Sequence, residues 1–205
     1  MKNMQYISSF LTKVEGPLQI RGYIPCHVIG GGSANYRGGP NPERYQAMGA
    51  SGVTIATGCD LGQTDQKTLC QFGLARHIAE LFRPYYGKRK ARAIEVLHQK
   101  PLTISEAQAL LLNEAVHNGY LDCYVRPAYD GCSAVKFDDV PPQAQAVIMS
   151  LCFQKGCTGV RRDWPKVWDH LTHQRWREAS QELCSGFTQY ISRRKTEGAL
   201  LREIL

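Results

Sequence analysis

The sequence predicts an α+β fold that is predominantly α-helical, with a small strand-and-loop lobe and a larger helical lobe. Three observations carry this. The run Val53-Thr-Ile-Ala-Thr57 is β-branched, alternating and closed by Gly58, which reads as a short strand and turn. The stretch from Gly22 to Gly52 is rich in Gly, Pro, Ser and Asn, which is turn chemistry. After Gln63 the apolar residues fall at helical spacing almost to the C-terminus. With 43% hydrophobic and 21% charged residues over 205 positions, the chain is long and apolar enough to bury a core. The expected organisation is one domain: an N-terminal helix over 2–15, a small lobe over about 16–66 and a helical lobe over about 67–205.

Taken in order, Ile7, Phe10, Leu11 and Val14 mark one face of the first helix. Gly16 and Pro17 stop it, so Glu15 ends the helix. Leu74, Ile78, Leu81 and Phe82 mark a helix that closes near Pro84 and Gly87. Thr103-Ile-Ser-Glu106 has capping-box spacing, with Leu102 as hydrophobic staple and Ala107, Leu110 and Leu111 as the inner face that follows. Pro141 and Pro142 open a helix whose Ala144, Val147, Ile148, Leu151 and Cys152 face inward. Further helices are expected around Trp164 to Leu171, around Arg175 to Leu183, and at the C-terminus.

The net charge is +7, from 25 Lys and Arg against 18 Asp and Glu. That favours polyanionic partners, the acidic bacterial wall among them. The basic residues are scattered, with Lys88–Arg92 and Ser192-Arg-Arg-Lys195 as the only short clusters, which argues against a nucleic-acid footprint. No apolar run is long enough to span a bilayer, and the first fifteen residues lack the apolar stretch and cleavage site of a secretory signal. The eight cysteines include no CxxC, and Cys70, Cys152 and Cys184 sit in apolar helical patterns, as buried thiols do. Cys152, Cys157, His170 and His173 nearly fit a zinc finger, but the histidine pair is one residue too tight, so no metal is expected there.

Glu15 and Asp60 are the carboxylates whose positions suggest chemistry. A carboxylate at a helix C-terminus meets the negative end of the macrodipole, which disfavours its charged form and suits a general acid. Asp60 follows a strand and a glycine turn, where backbone donors favour the charged form. Each position alone also fits an ordinary helix-ending Glu or a turn-capping Asp.

The order and company of these residues narrow the choice. A helix ending in Glu15-Gly16, then Ser51-Gly-Val-Thr-Ile-Ala-Thr-Gly-Cys-Asp-Leu-Gly-Gln63, then a helical remainder resembles the pesticin and T-even phage lysozyme family. Leu102–Ala107, Ile148–Gly156, Arg175-Trp-Arg-Glu-Ala179 and the later Gln189, Arg193 and Arg194 resemble family segments in the same order. The resemblance implies a lysozyme-like fold and a muramidase needing no cofactor, with a substrate cleft between the lobes. By position it implies Glu15 as acid, Asp60 as base or electrostatic stabiliser, Thr54 (six residues before Asp60) as a water-positioning residue, and Gln154 as a substrate contact. It further implies peptidoglycan as substrate, and a monomer with a possible cognate immunity protein. The expected setting is the periplasm or cell wall, reached through a secretion system or phage lysis. The chain departs from the family in two places. Ala56 stands where Gly is more usual, a change expected to be neutral. The Gly-rich stretch around 30–39 lengthens the interval between Glu15 and Thr54, as a cleft-edge loop or a tolerated insertion. The competing readings are a Cys-His peptidoglycan amidase or peptidase, with Cys59 as nucleophile and His27 or His77 as base, and a non-catalytic basic domain that binds wall or nucleic acid.

Overall fold

The computed structural model describes residues 3–205 and is α+β, with more than half of the chain helical and one small antiparallel sheet. Two compact units divide the chain: Met1–Glu15 with Asn118–Leu205, and Gly16–His117. Of the expected 2–15 helix, Lys2 lies outside the described residues, and α1 spans Met4–Glu15. The division differs from the boundary expected near residue 66. Helices beyond that point belong with the sheet because α4 (Lys90–Gln99) packs on β1 (Gln19–Val28) and β3 (Tyr45–Ala47).

In the 16–117 unit the sheet order is β2 (Ser33–Tyr36), β1, β4 (Thr54–Ala56), β5 (Cys59–Asp60), with β3 also paired to β1. The region read as loop from Gly22 to Gly52 therefore contains three strands. β1 is long enough to pair with β4 through its first half and with β2 and β3 through its second. Its Gly22, Ile24 and Cys26 are buried at alternate positions, as a strand requires, yet Gly22 and Pro25 hide that period from composition. The Gly30–Gly32 run is the hairpin turn between β1 and β2. All three glycines have positive φ, a region closed to most side chains, and Val28 N–H reaches the Gly32 carbonyl at 3.1 Å. The expected cleft-edge loop or insertion is thus an ordered hairpin within the sheet.

α2 (Gln66–Gln71) and α3 (Arg76–Leu81) follow, then α4 and α5 (Glu106–Tyr120). The start of α5 is a capping box, but displaced from the expected one. Ser105 N–H donates to Gln108 Oε1 at 2.9 Å and Gln108 N–H to Ser105 Oγ at 3.2 Å. Thr103 instead forms a bridge with Arg21, so it cannot cap. The shift rotates the helix: Ala109, Leu112, Ala115 and Val116 are buried, whereas Leu110 and Leu111 are half exposed. Ser105→Ala is expected to lower stability by about 1 kcal/mol, read as a fall of roughly 2–4 °C in melting temperature. Thr103→Ala should move it less. The reverse order would return the cap to Thr103.

The other unit is built around α7 (Pro142–Lys155). Residues 144–152 are all buried, so α7 is a core helix covered on every side. It packs against α1, α8 (Cys157–Asp163) and α11 (Ile191–Arg202), while α10 (Trp176–Ser185) joins α11 to α9 (Pro165–Thr172). Ile7, Phe10 and Leu11 of α1 enter this core with Val147, Ile148 and Leu151. The buried amide of Gln145 is satisfied by the carbonyls of Phe137 and Val140 at 3.0 and 3.1 Å. A π-turn over Leu121–Val125 links α5 to α6 (Arg126–Asp130). Among the described residues no helix is long and apolar enough to cross a membrane.

Candidate active site

Within the sheet unit, β4 and β5 form the hairpin that carries Thr54 and Asp60. The two are direct cross-strand partners, so both side chains lie on one face of the hairpin. Thr54 is buried and also pairs with Tyr23 of β1. Asp60 caps the short turn after β5. Its Oδ1 accepts Gly62 N–H at 2.8 Å, and both its oxygens accept Gly52 N–H at 3.1 and 3.2 Å. Burial pushes the Asp60 carboxyl above its ordinary range. The Gly52 and Gly62 N–H groups, the Arg89 guanidinium and Gln63 pull it the other way and do not cancel the effect. The turn donors alone would favour the charged form, as the sequence predicts; burial of Asp60 outweighs them. A carboxylate with raised proton affinity is the better general base.

The same hairpin alters two further expectations. Ala56 has φ 53°, in the left-handed region, so its methyl is not neutral there and costs about 1 kcal/mol relative to an unstrained residue. Cys59 is buried, and burial beside Asp60 pushes its thiol up to about 12. A buried thiol held protonated is a poor nucleophile at neutral pH, which weighs against the Cys-His reading. Its proposed partners sit in other settings. His27 is in β1 opposite Ser33 and Gln46, and His77 is on α3, on the wall of a groove with Tyr85 and Thr103.

In the other unit, Glu15 is the last residue of α1, as its Gly16-Pro17 stop predicts, and Gly16 has φ 104°. What sequence did not predict is its partner. Arg193 of α11 places Nη1 2.6 Å from Glu15 Oε1, and both side chains are mostly buried. Arg193 Nη2 also donates to the Ser150 carbonyl at 2.9 Å, which fixes the guanidinium against α7. The sequence signal was the adjacent Arg193 and Arg194 with Glu197 one helical turn on, which puts charges of both signs on one face. Gln154, at the end of α7, accepts a hydrogen bond from Arg194 Nη2, which holds its side-chain oxygen. The near-zinc-finger residues do not form a site. Cys152 is a free thiol inside the α7 core beside the free thiol of Cys157, and His173 Nδ1 faces the Asp169 carbonyl on α9. Among the described residues no three His, Cys, Asp or Glu side chains are grouped as metal ligands would be.

A mostly helical α+β chain, with a Glu ending the first helix and a Thr and Asp paired across a short hairpin, defines a lysozyme-like protein. The family model that matches it is Pesticin, described as a bacterial toxin homologue of phage lysozyme, C-terminal, and it covers residues 7–177. The chain belongs to this family. No curated protein matches the chain. The matched segment includes Glu15, Thr54, Asp60 and Gln154 and ends before Arg193.

Proposed function

We propose that the protein is a muramidase, a glycoside hydrolase that cleaves the β-1,4 bond between N-acetylmuramic acid and N-acetylglucosamine in peptidoglycan. The observation that carries this reading is the family match, whose span contains a helix-ending Glu and the paired Thr54 and Asp60. In the proposed reaction the Glu15 proton passes to the glycosidic oxygen as its bond to the anomeric carbon breaks. Water, positioned by Thr54, adds to the anomeric carbon, and Asp60 takes its proton. Burial of Asp60 supports that basic role. Gln154 is assigned as a substrate contact. The net charge of +7 favours approach to an anionic wall.

Digestion of purified peptidoglycan tests the bond. The expected products carry N-acetylmuramic acid reducing ends, which borohydride converts to muramitol. Release of new amino groups instead, without reducing ends, would point to an amidase or peptidase and sink the proposal. The family description also supports the role of an antibacterial toxin acting in the periplasm or on the wall of a target cell, with a cognate inhibitor as partner. A phage endolysin is the second reading, since the same description names phage lysozyme.

A further inference from the structure

Behind the Glu15–Arg193 ion pair lies a second, deeper set of ionisable groups that the proposed reaction does not use. Glu197 is fully buried, and Arg194 is 1% exposed. Glu197 Oε1 accepts the Ser150 hydroxyl at 2.5 Å and lies 3.3 Å from Arg193 Nε. Glu197 Oε2 lies 3.0 Å from Arg194 Nη1. The Ser150 hydroxyl in turn accepts from Arg193 Nη2 at 3.0 Å, so Glu197 and Ser150 both grip the far side of the guanidinium that faces Glu15. Arg194 is clamped between rings, 4.9 Å from the Trp164 centroid and 5.5 Å from that of Phe187. Apolar residues of the same volume would join α7 to α11 at least as well as a buried ion pair. The arrangement therefore calls for a use other than stability.

We propose that Glu197 is a positioning residue for Glu15: through Arg193 and Ser150 it fixes the guanidinium facing the acid, and it cancels the second cation, Arg194. Glu15 then meets one uncancelled positive charge rather than two. The groups around the cluster are consistent with this balance. α1 contributes Glu15, and α11 contributes Arg193, Arg194 and Glu197, preceded by Tyr190. α7 contributes uncharged Ser150 and Gln154, and Lys155 at its end is paired with Asp163 at 3.0 Å. From α10, Ser180 donates to the Gly198 carbonyl, Cys184 accepts from Arg202, and Glu182 is paired with Lys166 at 2.5 Å.

The inference rests on Glu15 being the acid, and its tests separate the two claims. A general acid works while protonated, so the alkaline limb of kcat/KM against pH follows its proton affinity. Glu197→Gln leaves Arg194 uncancelled, disfavours the protonated acid, and should move that limb down by about one pH unit. Arg194→Met leaves Glu197 uncancelled and should move it up. Ser150→Ala changes no charge. It should leave the limb in place and lower kcat about tenfold at unchanged KM, because the guanidinium loses its second anchor. Limbs that move together in the two charge variants, or that stay in place while the Glu15 titration also stays in place, overturn the proposal. If the charge variants do not fold, an unchanged kcat in Ser150→Ala overturns it. Titration of the Glu15 carboxyl carbon by NMR, assigned with Glu15→Gln, reads the charge balance without turnover. If that titration shifts as expected and the activity limb does not, the charge balance stands and the acid assignment fails.

Discussion

Glu15→Gln is expected to lower peptidoglycan turnover by about three orders of magnitude while leaving the protein folded. The substitution keeps the shape of the side chain and removes the proton that the leaving oxygen needs. The position tolerates the change for a structural reason. Arg193 keeps its contacts to Ser150 and Glu197 whether or not Glu15 is charged. The amide of Gln takes the place of the carboxylate beside Arg193 Nη1, and the guanidinium keeps Ser150 and Glu197, so it is not left buried without partners. Because the pair is mostly buried, the expected loss of stability is about 1–3 kcal/mol, which leaves the protein folded. Turbidity clearance with a peptidoglycan suspension reads the activity, and thermal melting reads the fold. A folded variant that clears the suspension at near the parental rate would remove Glu15 from the reaction.

How much of this was legible in the sequence depends on how locally each feature is encoded. The end of α1 was legible because an apolar stripe, Glu15, Gly16 and Pro17 are adjacent, and each acts within one helical turn. The β4–β5 hairpin was legible because Val53–Thr57 alternates and Gly58 closes it. α7 was legible from its apolar spacing, although burial on every side was not, since a stripe reports one face. β1 was hidden because Gly22 and Pro25 carry turn signals, and the reasons they sit in a strand are tertiary. Gly22 is there because a side chain would meet Leu102, and Pro25 keeps its carbonyl for Met48 N–H. The cap of α5 was misread by two residues because Thr103-x-x-Glu106 and Ser105-x-x-Gln108 overlap, and only the bridge from Arg21 to Thr103 decides between them. Arg193 could be placed on a late helix by resemblance, but its meeting with Glu15 is a product of how α1 and α11 pack on α7. Electrostatic partners of this kind lie far apart in the chain and leave no local periodicity to read.

Gly62→Ala is expected to be strongly destabilising, costing about 3 kcal/mol, or a fall of roughly 6–12 °C in melting temperature. The cause is steric and not conformational, since Gly62 is not among the positive-φ glycines. A Cβ at Gly62 would lie 2.5 Å from the Lys88 carbonyl oxygen, 2.8 Å from the Gly52 Cα and 3.0 Å from Asp60 Oδ1. The first two are backbone atoms, which cannot swing away as a side-chain tip can. Nor can the segment shift alone. Gly62 N–H holds Asp60, the Gly62 carbonyl accepts Arg89 Nε at 2.7 Å, and Gly52 bridges Arg89 while Lys90 N–H reaches the Ser51 carbonyl. Any movement that admits the methyl must therefore loosen the carboxylate from both its glycine donors, so activity should fall together with stability. Gly39→Ala is the matched control: its Cβ meets nothing within 4 Å and its φ is not positive, so it should be neutral or slightly stabilising. Equal melting temperatures for the two variants would show that the close approach of Gly52, Gly62 and Lys88 does not constrain the hairpin. A destabilised Gly62→Ala of unchanged activity would show that Asp60 does not need its cradle to serve the reaction.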